Sequence, residues 1–337
     1  MRYLKLIFLL IGLGLLAYVV AETDLGAVGG RLIQLGVMGF AVVLGIYCVR
    51  FLLDTASWQL MLSSARLDGV WLYRLWKVRM VGAVFNFVLP AATMGGEPVK
   101  AVLLKKRHGI DYRESAASLV IARTTNLLAL LAFAAVGLLL MLRSGALSGS
   151  FGLAAWAGLG ALAAGVLGFF AVQRWRVASR LGGWLTRWRP GRPLERFLVH
   201  LQDVDDRFVG FYHHKPGRFA AALALALFNW ILGMIELYYI FRFLGHPVSL
   251  AEAWIIESVV QLVRAGTFII PANLGALEAG FVLIVGALTG QPALGLAAAV
   301  VRRARKLLWT AWGLWLGWRF SLAPSVAAAD TAKPSER

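Results

Sequence analysis

Residues 86–104, NFVLPAATMGGEPVKAVLL, and residues 267–285, TFIIPANLGALEAGFVLIV, lie over each other without a gap when the sequence is shifted by 181 positions. Phe87 meets Phe268, Pro90 meets Pro271, Ala91 meets Ala272, Glu97 meets Glu278, and further on Gly109 meets Gly290. In a chain rich in alanine and leucine, only the proline, glutamate and glycine matches carry weight. Each stretch sits within a longer apolar segment, about 70–106 and about 252–288, and its proline breaks that segment in the middle. Proline removes an amide donor and ends or kinks a helix. Neither segment is long enough for two comfortable crossings and a turn, so each is expected to be a helical hairpin that enters and leaves on one side. Two short full crossings would keep the same sidedness.

The rest of the chain shows what surrounds these hairpins. Of 337 residues, 60% are apolar and 15% charged, and the mean hydropathy is +0.73. An ordinary globular protein is excluded by those values. Apolar runs long enough to cross a bilayer recur at about 5–22, 33–53, 115–142, 151–172, 218–244 and 294–318,. Arg2 and Lys5 ahead of the first run resemble a secretory signal, but a polytopic chain needs the helix, so an uncleaved span is expected,. Cys48 is the single cysteine, so no intrachain disulfide can form,. In a soluble protein the net charge of +17 would suggest nucleic acid; in a membrane protein its placement is what matters, and no nucleic-acid partner is expected,.

With the N-terminus inside, the inner side receives 24 of the 34 lysines and arginines, including Arg50, Arg79 and ten residues from Arg174 to Arg218. Arg31, Arg143 and Arg242 alone fall outside. The positive-inside rule therefore places both termini in the cytoplasm. Seven basic residues are left at membrane depth: Lys100, Arg123, Arg264, Arg302, Arg303, Arg305 and Lys306.

By this topology the first hairpin opens inward and the second outward. The expected fold is an all-α polytopic membrane protein with an inverted-topology repeat and two Pro-broken re-entrant hairpins. Residues 1–322 form one transmembrane domain. Repeat one covers 33–142 and repeat two 218–318, with a cytoplasmic amphipathic insert at 173–217 and a disordered cytoplasmic tail at 323–337. The plainer alternative is that two broken hairpins merely pack together.

The hairpin breaks are read at Pro90, Gly95 and Gly96, and at Pro271 and Gly275. A helix starting after Gly96 would aim free amides and the positive dipole end at the protein centre, which suits a phosphate or another anion. Glu97 is either a cap for that dipole or a functional carboxylate, and Glu278 has the same two readings. Arg123 and Asn126 share a helix face at i, i+3. Within RRARK, Arg302 to Lys306 span little more than one turn, so these charges cannot all reach one membrane surface and some must face a polar interior. They either hold a ligand or form ion pairs with Glu97, Glu278, Glu236 or Glu257.

Residues 174–189, RWRVASRLGGWLTRWR, combine five arginines with apolar residues and read as a helix lying on an anionic leaflet,. Trp309, Trp312, Trp315 and Trp318 are expected to form an interfacial belt. Asp203, Asp205, Asp206, His213 and His214 read as solvated, and no metal or cofactor is expected. The sequence lacks HExxH, GxSxG, phosphate-loop and paired metal-ligand motifs, so nothing points to catalysis.

In GAVFNFVLPAATMGGEPVKAVLLKK, SLVIARTTNLLALLAF and TFIIPANLGALEAGF the sequence resembles the lysylphosphatidylglycerol synthase transmembrane, or flippase-like, family, over most of residues 5–320. VVRRARKLLWTAWGL with LVRAGTFIIPANLG resembles its hopanoid-associated branch. The resemblance implies an all-helical bacterial inner-membrane protein that moves a lipid between leaflets. Two departures bear on function. Relatives that make aminoacylated phosphatidylglycerol carry a large cytoplasmic transferase domain after the membrane part, so this chain is not expected to be that enzyme by itself. Many relatives also have acidic residues at the positions of Ala122 and Asn126.

The leading reading is a lipid flippase in which Lys100, Arg123, Arg264 and Arg303 hold an anionic headgroup. Glu97 and Glu278 would pair with them or carry a coupling proton, and Asn126, Asn273 and Arg302 complete the substrate-binding set. A membrane-bound transferase acting on lipid-linked groups is one alternative. A non-catalytic partner of lipid-biosynthetic enzymes, docking through 174–189, is the other. Reporter fusions at Gly149 and at Arg337 should report opposite sides of the membrane; the same side for both would overturn the topology.

Overall fold

The computed structural model describes residues 25–88, 96–144, 215–267 and 270–322, with residues 17, 18 and 21 and parts of 153–168. Most of the expected first span, Pro90 and Gly95, the insert up to residue 214 and the tail from 323 therefore lie outside the described residues. Eight labelled α-helices carry the fold: α1 (Leu25–Met61), α2 (Gly69–Val88), α3 (Gly96–His108), α4 (Tyr112–Ser144), α5 (Pro216–Phe243), α6 (Leu250–Gly266), α7 (Ala276–Thr289) and α8 (Pro292–Leu322). The described parts of 153–168 are also helical, and there is no strand among the described residues.

Length and composition sort the helices. α1, α4 and α5 are apolar and long enough to cross a membrane on their own. α8, at 31 residues, is about 46 Å long at 1.5 Å per residue, but it carries the four charges of RRARK,. α3 and α7, with 13 and 14 residues, reach only about 20 Å, short of a hydrocarbon core of about 30 Å,. Each apolar segment that the sequence breaks at a proline is thus two helices, α2 with α3 and α6 with α7.

Local chemistry fixes the boundaries. Ser249 and Glu252 form a reciprocal capping box at the start of α6,. α3 ends at Gly109 and α7 at Gly290, both with φ of +69°, a conformation that favours glycine because it has no Cβ,. α1 breaks at Gly36, whose φ of 57° and ψ of −177° interrupt the helix. Between α6 and α7 the turn at Pro271–Asn273 holds Ala272 and Asn273 at positive φ, 53° and 49°, followed by Gly275 at 75°. A left-handed alanine is a strained residue, held there by the structure around it.

The two halves correspond element by element. Moving the starts of α2, α3 and α4 by 181 positions gives 250, 277 and 293; α6, α7 and α8 begin at 250, 276 and 292. The main packed pairs also keep their pattern when each helix is exchanged for the one four places away. α4 on α5 answers α8 on α1, α4 on α6 answers α8 on α2, and α1 packs on α5 itself. α1 and α5 run antiparallel: Arg31 donates to the Leu244 carbonyl (3.2 Å), Arg50 to Glu236 (2.9 Å) and Ser57 to the Ala222 carbonyl (3.1 Å).

The largest apolar core lies among α1 and α4 to α8. In it Phe133 stacks on Trp254 at 4.8 Å, while the Trp254 indole donates to the Phe133 carbonyl. The chain is therefore an all-α membrane protein.

Two expectations need correction. Trp309 is only 3% exposed and meets Tyr47 edge-on at 5.0 Å, so it belongs to the core; Trp312, Trp315 and Trp318 are exposed. Arg50 and Arg79, counted above on the inner side, sit within α1 and α2 facing the interior, which leaves 22 of the 24 inner charges.

Gly295, at the start of α8, approaches the backbone of α7 so closely that a methyl group would lie 2.4 Å from the Phe281 carbonyl oxygen. Backbone cannot yield as a flexible side chain does. Gly295→Ala should therefore cost about 1–3 kcal/mol and visibly lower the thermal midpoint in detergent. Gly45→Ala, with nothing within 4 Å, should leave the midpoint in place; equal midpoints for both variants would contradict this packing.

Candidate functional site

A cavity of 340 Å³ opens between the two helical hairpins, walled by α1 to α6 and α8. α7 contributes no lining residue among the described ones. Positive charge dominates the lining. Arg79, Lys100 and Arg123 come from α2, α3 and α4; Arg50, Arg264, Arg302, Arg305 and Lys306 come from α1, α6 and α8. Among the described residues, only Asp54, Glu97 and Glu257 provide negative charge on the surface itself. A charge facing acyl chains costs roughly 2.5–3.5 kcal/mol even on the lenient insertion scale, so eight cations at this depth require partners and polar space.

The partners come mostly from helices that the cations do not belong to. Glu236 on α5 is fully buried and receives Arg50 at 2.9 Å and Arg305 in direct contact, with the Arg302 Nε at 3.8 Å. Arg302 also reaches Glu257 at 2.6 Å and donates to the Gly233 carbonyl at 2.9 Å. Gln261 donates to Glu257 (2.8 Å) and accepts from Arg264 (3.0 Å). Gly233 makes this knot possible, because a methyl group there would lie 2.8 Å from the Arg50 guanidinium. Arg50 further donates to Asn229 at 3.2 Å.

The opposite wall is built in the same way. Arg79 pairs with Asp54, and its guanidinium lies 4.6 Å from the centre of the Phe51 ring. Lys100 donates to Glu97 at 2.9 Å, one turn away on α3,. The Gly96 amide donates to Asn86 Oδ1 at 2.7 Å, so the first arm of the hairpin caps the second. Part of the helix start that the sequence offered to an anion is thus satisfied by the protein. Arg123 is exposed, and no hydrogen bond or ion pair engages it among the described residues.

Of the residues singled out from the sequence, Glu97, Lys100, Arg123, Asn126, Arg264 and Arg302 line this one cavity. Arg303 and Glu278 do not. They form an ion pair with each other, joining α8 to the first turn of α7. Asn273 lies buried in the turn before α7, within 3.4 Å of the Thr267 hydroxyl. Arg302, enclosed by Glu257 and the Gly233 carbonyl, belongs to the frame of the wall.

Sequence reasoning missed Arg50, Asp54, Arg79 and Asn229. Arg50 and Asp54 were detectable as an i, i+4 pair on one face of an otherwise apolar run. Assigning Arg50 and Arg79 to a loop hid that signal. No group of three or more His, Cys, Asp or Glu residues suited to a metal ion occurs among the described residues.

Removing one partner of a buried ion pair leaves an uncompensated charge, at a cost of about 3–5 kcal/mol. Glu236 serves two arginines directly and a third nearby, so Glu236→Ala should abolish or severely reduce folded protein on size-exclusion chromatography. The Glu236→Leu, Arg305→Met double variant should recover part of the yield, because it removes charge from both sides. A fully stable Glu236→Ala would show that the knot is not what holds α1, α5 and α8 together.

Comparison with known proteins agrees with the architecture. A UPF0104 membrane protein of Methanothermobacter thermautotrophicus is 25% identical over 74% of this chain and 76% of its own length. No solved structure matches the chain. Residues 5–313, which take in nearly all of α1 to α8, match the lysylphosphatidylglycerol synthase TM region. The chain therefore belongs to the family of lysylphosphatidylglycerol synthase transmembrane regions.

Proposed function

We propose that this protein is a lipid transporter of the bacterial inner membrane, with cytoplasmic termini, and that the cavity between its hairpins receives an anionic headgroup. The observation that carries this reading is the charge of the lining. Eight cations face three carboxylates in one cavity among apolar helices, and no hydrogen bond or ion pair engages Arg123 among the described residues. Cavities of this size suit a headgroup, whose acyl chains can stay in the surrounding lipid. Membership of a family named for a lipid-modifying membrane protein supports a lipid as the cargo.

In the same reading the two halves form an inverted repeat with re-entrant hairpins. The antiparallel packing of α1 on α5, the shared offset of 181 and the short arms α3 and α7 support it. Alternating access would follow from one half rocking against the other around the cavity. Lys100, Arg123 and Arg264 would hold the headgroup, and Glu97 would exchange its bond to Lys100 as the headgroup arrives. The chain acts in this reading as a carrier and not as an enzyme.

The test uses purified protein in liposomes with acyl-labelled phosphatidylglycerol and, in parallel, acyl-labelled phosphatidic acid, with a membrane-impermeant quencher added outside. Protein should raise the quenched fraction above that of empty vesicles. Arg123→Gln should slow the rise severalfold, whereas Lys105→Gln, at an exposed pair with Asp111, should not. Identical quenching with and without protein would defeat the transport reading, and the appearance of a chemically modified lipid would favour a transferase.

A further inference from the structure

The positive excess of the cavity is divided between two walls. On the first, Arg79, Lys100 and Arg123 are met by Asp54 and Glu97, leaving one positive charge in excess. On the second, among the described residues, Arg50, Arg264, Arg302 and Arg305 are met by Glu257 and by Glu236 behind the lining, leaving two. A phosphodiester, with one negative charge, balances a third of that total. A terminal phosphate carries about −1.5 to −2 charge near pH 7, together with acceptor oxygens that can face both walls. Arginine is well matched to it, since its planar donors pair with phosphate oxygens two at a time.

The aromatic lining points the same way. A cationic amine would seek an open ring face. The Arg305 guanidinium lies 3.9 Å from the Tyr47 ring centre, that of Arg79 4.6 Å from Phe51, and the Lys100 ammonium 5.8 Å from Trp58. These three faces already have cations over them, and the fourth lining ring, Trp230, stacks on Phe133 and donates to the Asn126 carbonyl. A headgroup bearing a free amine would meet the protein's own positive charges where it would need a carboxylate or a ring.

We infer that the cavity selects a lipid ending in a phosphate monoester or diphosphate, and excludes headgroups of net positive charge such as lysylphosphatidylglycerol. This rests on the reading of the cavity as a lipid headgroup site, and it sets the class of headgroup. Arg123 is the specificity-determining cation on the first wall, because no carboxylate neutralises it in the described structure.

The experiment measures retention, not movement. Purified protein is incubated with equimolar phosphatidic acid, phosphatidylglycerol and lysylphosphatidylglycerol of identical acyl chains, and bound lipid is read by native mass spectrometry. Phosphatidic acid should be retained about tenfold over phosphatidylglycerol, with lysylphosphatidylglycerol at background. Arg123→Gln should reduce that ratio severalfold while Lys105→Gln preserves it. Arg264→Gln, at a residue whose hydrogen bond among the described residues is a neutral one to Gln261, serves if the first variant does not fold. Inorganic diphosphate, added in parallel, should displace phosphatidic acid. Diphosphate binding without lipid retention would mean that the site takes a free anion, and would overturn the lipid assignment. Equal retention of the two anionic lipids, or preference for the lysyl lipid, would overturn the selectivity. Selective retention without movement in vesicles removes transport alone; movement without selective retention removes the headgroup assignment alone.

Discussion

The carboxylate of Glu236 is the point on which the interior depends. It sits at zero exposure on α5 and accepts positive charge from α1 and α8 at once. In a medium of low dielectric, neither the carboxylate nor the arginines can be left alone, because the attraction between them has to offset the loss of solvent on both sides. The position of each helix is thereby tied to that of the others. Gly233, one turn before Glu236, gives up its side chain so that the Arg50 guanidinium fits beside it and Arg302 can reach its carbonyl. The cavity wall is therefore a lattice of ion pairs, and its charge excess is built on a frame that is itself largely neutralised.

The hairpins stand around this frame in unequal roles. The first supplies Arg79, Asn86, Glu97 and Lys100 to the cavity, and its arms are joined by the bond from Gly96 to Asn86. The second supplies Glu257, Gln261 and Arg264 from α6 alone. Its other arm, α7, faces away and is tied to α8 by Glu278 and Arg303. The positive-φ alanine at 272 marks where strain is held, in the turn between those arms,.

Much of the architecture was legible from two prolines, two glutamates and two glycines. Pro90 and Pro271 announce broken segments, and Gly109 and Gly290 announce left-handed helix ends, since each residue restricts or frees the backbone in a way few others do. The cation-rich interior was legible from Lys100, Arg123, Arg264 and the RRARK run, because charges within apolar spans need an inward face. What the pattern could not give was pairing across helices. Nothing local distinguishes Arg303, which answers Glu278, from Arg305, which answers Glu236; the difference is one of helical angle relative to neighbours far along the chain. Arg50 and Arg79 were hidden for a related reason. Each lies near the end of an apolar run where a loop is the simpler assignment, and only the length of α1 and α2 puts them inside.

The charged run of α8 also constrains how the protein can be made. Four cations near the middle of that helix, Arg302, Arg303, Arg305 and Lys306, oppose insertion by roughly 10–14 kcal/mol if each costs what the translocon scale assigns,. Its ten Leu, Val and Phe residues return at most about 6 kcal/mol at the centre-of-helix values,. Taken alone, α8 should fail to leave the translocon for lipid. It can do so once α5, α6 and α7 are already present with Glu236, Glu257 and Glu278 to receive its charges. For this helix, membrane integration and tertiary assembly are then one step, and its insertion serves as a checkpoint on whether the earlier helices were placed correctly.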